Sequence, residues 1–225
     1  MGVRRVFTYR YLCEYIMLSM KIITIKSSAL SMFKLLDYYE VIVVMPAIDM
    51  QLANKASKVM QRRTRQKGLL IVVEDDLRLG FIMVANMVYM NTKSRFFCYV
   101  AQDAYPGAFW LDDGLETLNK ENSGLLAFND GRFFGTIAVF GLADRKWLYN
   151  IYKNFLFYPK YKSHFGDTEL TVIALQTGKH VFNPNCLLME VDYEKHRCKI
   201  NMDDDKLYRE RAEAGFDGRV TPFTP

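Results

Sequence analysis

The sequence predicts an α/β fold: a mixed, mainly parallel sheet flanked by helices, with a β-hairpin and further helices in the C-terminal half. Three observations point there. Three continuous apolar runs of strand length, "EVIVVMP", "GLLIVVEDD" and "RFFCYVAQD", occupy the first half. Two stretches with apolar residues at helical spacing, "DMQLANKASKVMQRR" and "GFIMVANMVYMNT", separate them. Beyond them the alternation stops, and "GLLAFNDGRFFGTIAVF" sets Asn129-Asp130-Gly131 between two apolar segments, a hairpin signature. A strand apolar on both faces suits burial between helical layers, and right-handed strand–helix–strand units give a parallel sheet.

In chain order, "KIITI" reads as a short strand, and Ser27 or Ser28 as the N-cap of a helix running to Leu36. The next strand ends at Pro46. Leu52, Ala53, Ala56, Val59 and Met60 then form one helical stripe. After the third strand, Pro106-Gly107 marks a turn, and Pro106 to Glu116 reads as a loop, as does Tyr158 to Phe165. A helix is expected from about Asp144 to Phe155, and a second over "DTELTVIALQTG", stopped by Gly178 before a short strand "HVFNP". The polar end, "MDDDKLYRERAEAGFDGRVTPFTP", reads as an outer helix with a loose terminus. The chain divides into an N-terminal extension (1–40), a main domain (41–196) and a C-terminal tail (197–225).

Of the 225 residues, 50% are hydrophobic and 24% charged, enough for one sizeable core. No run reaches membrane-span length. The opening "MGVRRVFTYRYLCEYIMLSMK" places basic residues before an apolar patch, but the patch is short, carries Glu14 and lacks a small-residue cleavage pattern, so it is not read as a signal peptide. Met20 offers a second start, which makes residues 1–19 a candidate extension; N-terminal sequencing that begins at Met1 would remove that reading. Cys13, Cys98, Cys186 and Cys198 form no C-x-x-C pair and read as reduced thiols, which points to a cytoplasmic setting. With three scattered histidines, a closed structural metal site is not expected. The net charge is +5, and the densest basic cluster is "QRRTRQK", Gln61 to Lys67. It reads as a solvated helix C-terminus complementing the dipole. No aromatic interleaving accompanies it, so no nucleic-acid partner is expected.

Ligands of open parallel sheets bind outside the carboxyl ends of the strands. Here those ends carry Asp49, then Glu74-Asp75-Asp76, then Gln102-Asp103. Each alone reads as an Asx turn or helix cap; three together on one rim read as a site for sugar hydroxyls, base N–H donors and a divalent cation.

The ordered set resembles the glycosyltransferases of the GT-A fold, especially the family 2 type. "VIVVMPAID" stands where that family's first strand ends in Pro followed by a small stretch and Asn, and "IVVEDD" where its second ends in paired aspartates. Asn86 in "MVANMVY" stands where its next helix carries Asn, and "YVAQDAYPG" where its third strand ends in D-x-D. "FGDTELTVIALQTGKHVFNP" stands where an acidic pair opens a helix before a short strand ending in Pro. The likeness spans roughly residues 41 to 196. It implies a single-sugar transfer of hexosyltransferase type from a nucleotide-diphosphate donor, a UDP-sugar favoured, with Mn²⁺ or Mg²⁺ and with inversion. The acceptor is a carbohydrate, a lipid-linked molecule or a protein.

By that match Pro46, Asp49, Asp75, Asp76, Asn86 and Gln102 contact the donor, and Asp103 is the first metal ligand; Arg78, just beyond the acidic strand end, is a further candidate for the diphosphate and equally reads as an exposed loop arginine. The chain departs from D-x-D at Tyr105. Glu190 aligns with a late family ligand, with His196 a second candidate; an added carboxylate would replace the missing charge. Asp167 stands where the family has its general base, although Gly166-Asp167-Thr168-Glu169 equally fits an N-terminal cap. His164, just before it, is a lone loop histidine, and Trp110 reads as core. "ADRKW" only weakly resembles the Q-x-x-R-W of processive polysaccharide synthases, a reading set aside because the glutamine is absent. A second reading keeps the scaffold and drops the chemistry, leaving a nucleotide-binding protein without turnover. A nucleotidyltransferase ranks lower, because "PAIDMQLANK" offers no Gly-rich basic loop.

Overall fold

The structure is a computed structural model that describes residues 20–191 and 200–225. Its strands are β1 (Lys21–Lys26), β2 (Tyr38–Ala47), β3 (Gly68–Glu74), β4 (Lys93–Tyr99), β5 (Ala104–Pro106), β6 (Leu125–Asn129), β7 (Gly141–Asp144) and β8 (His180–Glu190). They form one sheet in the order β1-β3-β2-β4-β7-β6-β8-β5. The first four are mutually parallel, β7 runs antiparallel to β4 and β6, β8 lies parallel to β6, and β5 closes the edge antiparallel to β8. The helices are α1 (Met50–Arg62), α2 (Phe81–Met90), α3 (Trp110–Lys120), α4 (Arg145–Tyr152), α5 (Gly166–Gln176) and α6 (Met202–Glu213).

The continuous apolar runs have their physical reason in two cores. Successive side chains of a strand point to opposite faces. Ile42 and Val44 of β2 therefore join Val84, Ala85 and Val88 of α2 on one face. Val41, Val43 and Met45 join Ala53, Ala56 and Met60 of α1 on the other. Every residue of β2 from Val41 to Ala47 is buried.

Five expectations are corrected. The helix from Ser27 to Leu36 is a single 3-10 turn, Ser27–Ala29, because the 30–36 segment is drawn toward α2: Leu35 N–H donates to Asn91 O and Asn91 Nδ2 to Leu30 O. The segment taken as a loop to Glu116 instead becomes α3 at Trp110. Trp110 is fully buried and its Nε1 donates to Met60 O, while Gly114, a helix-weakening residue, lets α3 approach the sheet. A Cβ there would lie 3.3 Å from Phe128 Cε1. The hairpin exists, but its returning strand is Gly141–Asp144, and residues 130–140 are a loop organised by Asp130, whose Oδ1 accepts the N–H groups of Arg132, Phe133 and Phe134. The chain end is not loose either. Tyr208, Arg211, Ala212 and Phe216 are buried against the body of the protein. The basic cluster is only partly a solvated helix end: Arg63 donates to Pro106 O, and Arg65 pairs with Asp112 at 3.3 Å.

Candidate functional site

The strand-end acids of the first half are held by local bonds. Asp49 caps α1, its Oδ1 accepting from Gln51 N at 2.9 Å and Leu52 N at 3.1 Å. Gln102 Oε1 accepts from Ile48 N (2.8 Å) and Asp49 N (2.9 Å), which ties the segment after β4 to the end of β2. Pro46 is buried within β2 opposite Val73. Asp75, also buried, accepts from Leu79 N and Gly80 N at 2.9 and 2.8 Å, closing the loop in which exposed Arg78 adopts a φ of 55°. Asp76 receives Ser28 N–H, Ser28 Oγ and Ser27 Oγ at 2.7–2.9 Å; these bonds, the Ser28 N–H foremost, hold its pKa down to about 2. Asn86 is buried, its Oδ1 accepting from Leu156 N and Phe157 N and its Nδ2 donating to Phe157 O. That amide holds the segment leading to α5. Asn86→Ala would leave those backbone groups unsatisfied, and urea denaturation is expected to show a loss of about 3 kcal/mol.

A cavity of about 510 Å³ opens where α2 begins and β4 ends, with Phe81, Ile82 and Ala101 on one side. Its polar lining is Arg132, Ser163, His164, Asp167, Thr168 and Glu190. Of the residues singled out from sequence, Asp167 and Glu190 therefore share a cavity, and His164 with them. Asp167 is not the N-cap of α5; that position is Phe165, at a φ of 67°. Asp167 lies in the first turn, half-buried, with Oδ1 accepting from Thr168 N at 2.8 Å. Burial is the chief cause that lifts its pKa above the ordinary aspartate value. The neighbouring acid faces elsewhere. Glu169 is fully buried and bound by Tyr152, Tyr161 and Arg211.

Two of the three metal-ligand candidates, Asp103 and Glu190, come close along the backbone at the end of β8, and of these Glu190 lines the cavity while Asp103 does not. Ala104 pairs with Glu190, Val191 N donates to Asp103 O, and Glu190 N donates to Asp130 O, so Asp103 and Asp130 flank that strand end on either side. Arg132 Nη1 lies 3.9 Å from Glu190 Oε2. Asp130 is buried; its Oδ1 accepts three backbone N–H groups, and its Oδ2 has no hydrogen-bond partner among the described residues. Tyr105, where the second acid of D-x-D would stand, has its ring 5.8 Å from Lys55 Nζ. His196 lies outside the described residues. Among the described residues no group of three His, Cys, Asp or Glu is arranged to hold a metal ion.

No family model and no curated protein matches the sequence. Solved structures do. The mannosyltransferase PcManGT from Pyrobaculum calidifontis, in complex with GDP-Man and Mn²⁺, aligns over 92% of this chain and 68% of its own, with a TM-score of 0.54 at 11% identity. S. aureus TarS 1-349 in complex with UDP-GlcNAc aligns over 86% of this chain and 66% of its own, with a TM-score of 0.51 at 14% identity. The chain has the GT-A fold. In GT-A terms β2, β3 and β4 are the parallel front half, and the cavity lies beside the carboxyl end of β4 and the start of α2; Asp49, Asp75, Asp76, Gln102 and Asp103 are not among its lining residues.

Two features went unread in the sequence. Asp204 of α6 is buried and accepts from the N–H groups of Lys162, Ser163 and His164. Arg211 of α6 reaches Glu169. Nothing in "MDDDKLYRERAE" marks one aspartate among three, or one arginine among two, as facing inward; only the helical phase relative to a distant partner decides it.

Proposed function

We propose that this protein is an inverting glycosyltransferase that moves one hexose from a nucleotide-diphosphate donor, UDP-sugars being tried first, to a hydroxyl acceptor. The observation that carries the reading is the half-buried Asp167 carboxylate, with its raised pKa, lining a cavity beside the carboxyl end of β4 in a GT-A fold. An acceptor hydroxyl within reach gives its proton to Asp167 as its oxygen attacks the anomeric carbon. The bond to the nucleotide diphosphate breaks on the opposite face, so configuration inverts without a covalent sugar–protein link. Arg132, at the cavity and exposed on its other side, meets the departing phosphate charge. Asp49 and Gln102 fix the segments beside which the nucleotide lies.

Carboxylates suit Mn²⁺ or Mg²⁺, which is commonly held by one or two of them plus substrate phosphates, and Asp130, whose backbone O accepts Glu190 N–H, keeps a buried Oδ2 with no hydrogen-bond partner among the described residues. Asp103 and Glu190 would hold the ion, which would supply Lewis-acid stabilisation of the diphosphate. The acceptor is a carbohydrate, a lipid-linked molecule or a protein. A cytoplasmic setting belongs to this proposal, supported by the reading of the cysteines as reduced thiols; no helix among the described residues is long and apolar enough to cross a membrane.

Calorimetry tests the reading. UDP added in the presence of Mn²⁺ is expected to give binding heat that EDTA diminishes; the absence of heat with both UDP and GDP overturns it. One observation favours a second reading, a nucleotide-binding protein without turnover: Tyr105 replaces the second acid of D-x-D. It predicts UDP binding with no consumption of any UDP-sugar.

A further inference from the structure

The loop that brings His164 to the cavity is held by α6 at three places. Asp204 Oδ1 accepts from Lys162 N at 2.9 Å, and Oδ2 from Ser163 N and His164 N at 2.8 Å each. Phe165 stacks on Tyr208 with ring centroids 5.0 Å apart and planes at 20°. Asn201 N lies 3.4 Å from His164 Nδ1, and Ser163 Oγ lies 3.1 Å from the same nitrogen. A backbone N–H can only donate, so Nδ1 is the lone-pair nitrogen and the neutral ring carries its proton on Nε2. So much fixing of one half-buried histidine exceeds what a loop spacer requires.

We propose that His164 is a second ligand-contacting residue of this cavity, its Nε2–H donating to a hydroxyl oxygen of the donor's sugar beside Asp167, and that Asp204 and Asn201 are positioning residues for it. The proposal rests on the glycosyltransferase reading and adds what distinguishes a sugar-bearing donor from a bare nucleotide. A neutral donor beside a carboxylate suits a hydroxyl, whereas the diphosphate is matched by the cation of Arg132, which lines the same cavity. The attacking hydroxyl is a poor partner for His164. A hydrogen bond donated to its oxygen would weaken it as a nucleophile, and Asp167 already takes its proton.

Two measurements test it. Calorimetry with UDP and with UDP-GlcNAc or UDP-glucose separates nucleotide from sugar binding. His164→Ala is expected to leave the Kd for UDP unchanged and to weaken UDP-sugar binding about 3- to 10-fold, the worth of one neutral hydrogen bond. His164→Gln, whose amide can donate from a similar position, should recover most of that loss. If wild type binds the UDP-sugars and His164→Ala binds UDP and UDP-sugar as wild type does, or loses both equally, this proposal alone is overturned. If wild type binds no nucleotide diphosphate, the glycosyltransferase reading falls and takes the ligand assignment with it. The second measurement needs no ligand. Nitrogen-15 spectra of the three histidines, assigned with His164→Gln, are expected to show His164 in the Nε2–H tautomer, and Asp204→Ala to show a mixture. An Nδ1–H tautomer in wild type overturns the clamp. Should Asp204→Ala not fold, the two His164 variants and the wild-type spectrum decide.

Discussion

Asp167→Asn is expected to cut consumption of a UDP-sugar by about 10²- to 10⁴-fold while nucleotide affinity stays as in wild type. The amide keeps an oxygen to accept from Thr168 N, so the first turn of α5 is retained and only the proton acceptor is lost. The same substitution should raise stability. Burial holds the folded-state pKa of Asp167 above its unfolded value, so ionising it opposes folding. Stability is therefore full at low pH and falls as pH rises from the ordinary aspartate value through the raised one; asparagine has nothing to ionise. Melting curves at pH 7 should place the variant's Tm above that of wild type, with the gap closing toward pH 3. In wild type, kcat should climb with pH across the same window, because the base acts only when ionised. Unchanged turnover in Asp167→Asn would move the base elsewhere. A lower Tm at pH 7 would show that the carboxylate is a structural cap after all.

The front of the fold was legible because its signals are local. Buried strands are continuous β-branched runs, and α1 and α2 show an apolar stripe or run bounded by Asp49 and by Gly80. The order of the acids along the chain was enough to recognise the GT-A layout. Their individual roles were less legible. Asp75, Asp76 and Asn86 read as donor contacts, yet each makes bonds that depend on a partner distant in sequence or on a loop shape: Asp76 on Ser27 and Ser28, Asn86 on Leu156 and Phe157. Helix α3 escaped because Phe109-Trp110-Leu111 following Pro106-Gly107 has the look of a resuming strand, and its N-cap is a phenylalanine at a φ of 56° rather than a polar residue. Asp167 and Glu169 show the limit most sharply. They are two acids in one first turn, and helical phase sends one to the cavity and the other to a fully buried cluster.

That cluster is where the largest stability effect is expected. Glu169 accepts from Arg211 Nε and Nη2 at 2.7 Å each and from the hydroxyls of Tyr152 and Tyr161 at 2.8 Å. Arg211 also reaches Asp217 at 3.1 Å and lies over the Tyr158 ring, 3.3 Å from its centroid. Burial by itself would lower the pKa of Arg211, but its bonds to Glu169 and Asp217 raise it, so the guanidinium stays charged at any working pH. Removing one partner of such a pair leaves the other as an uncompensated buried charge, which costs about 3–5 kcal/mol. Arg211→Ala is thus expected to lower Tm by roughly 10 °C in a chain of this size. Glu169→Gln should do nearly as much, since Arg211 then keeps its charge with a neutral partner. The double variant Glu169→Gln/Arg211→Leu should be less destabilised than the two single losses summed, because neither buried charge remains. The effect should also reach the cavity: Glu169 lies in the same turn as Asp167, and α6 carries both Arg211 and Asp204. UDP-sugar affinity of a still-folded Arg211→Ala should therefore fall more than UDP affinity. A Tm within about 2 °C of wild type, a shift expected from less than ~1 kcal/mol, would mean that water reaches this pair and that α6 is only loosely attached.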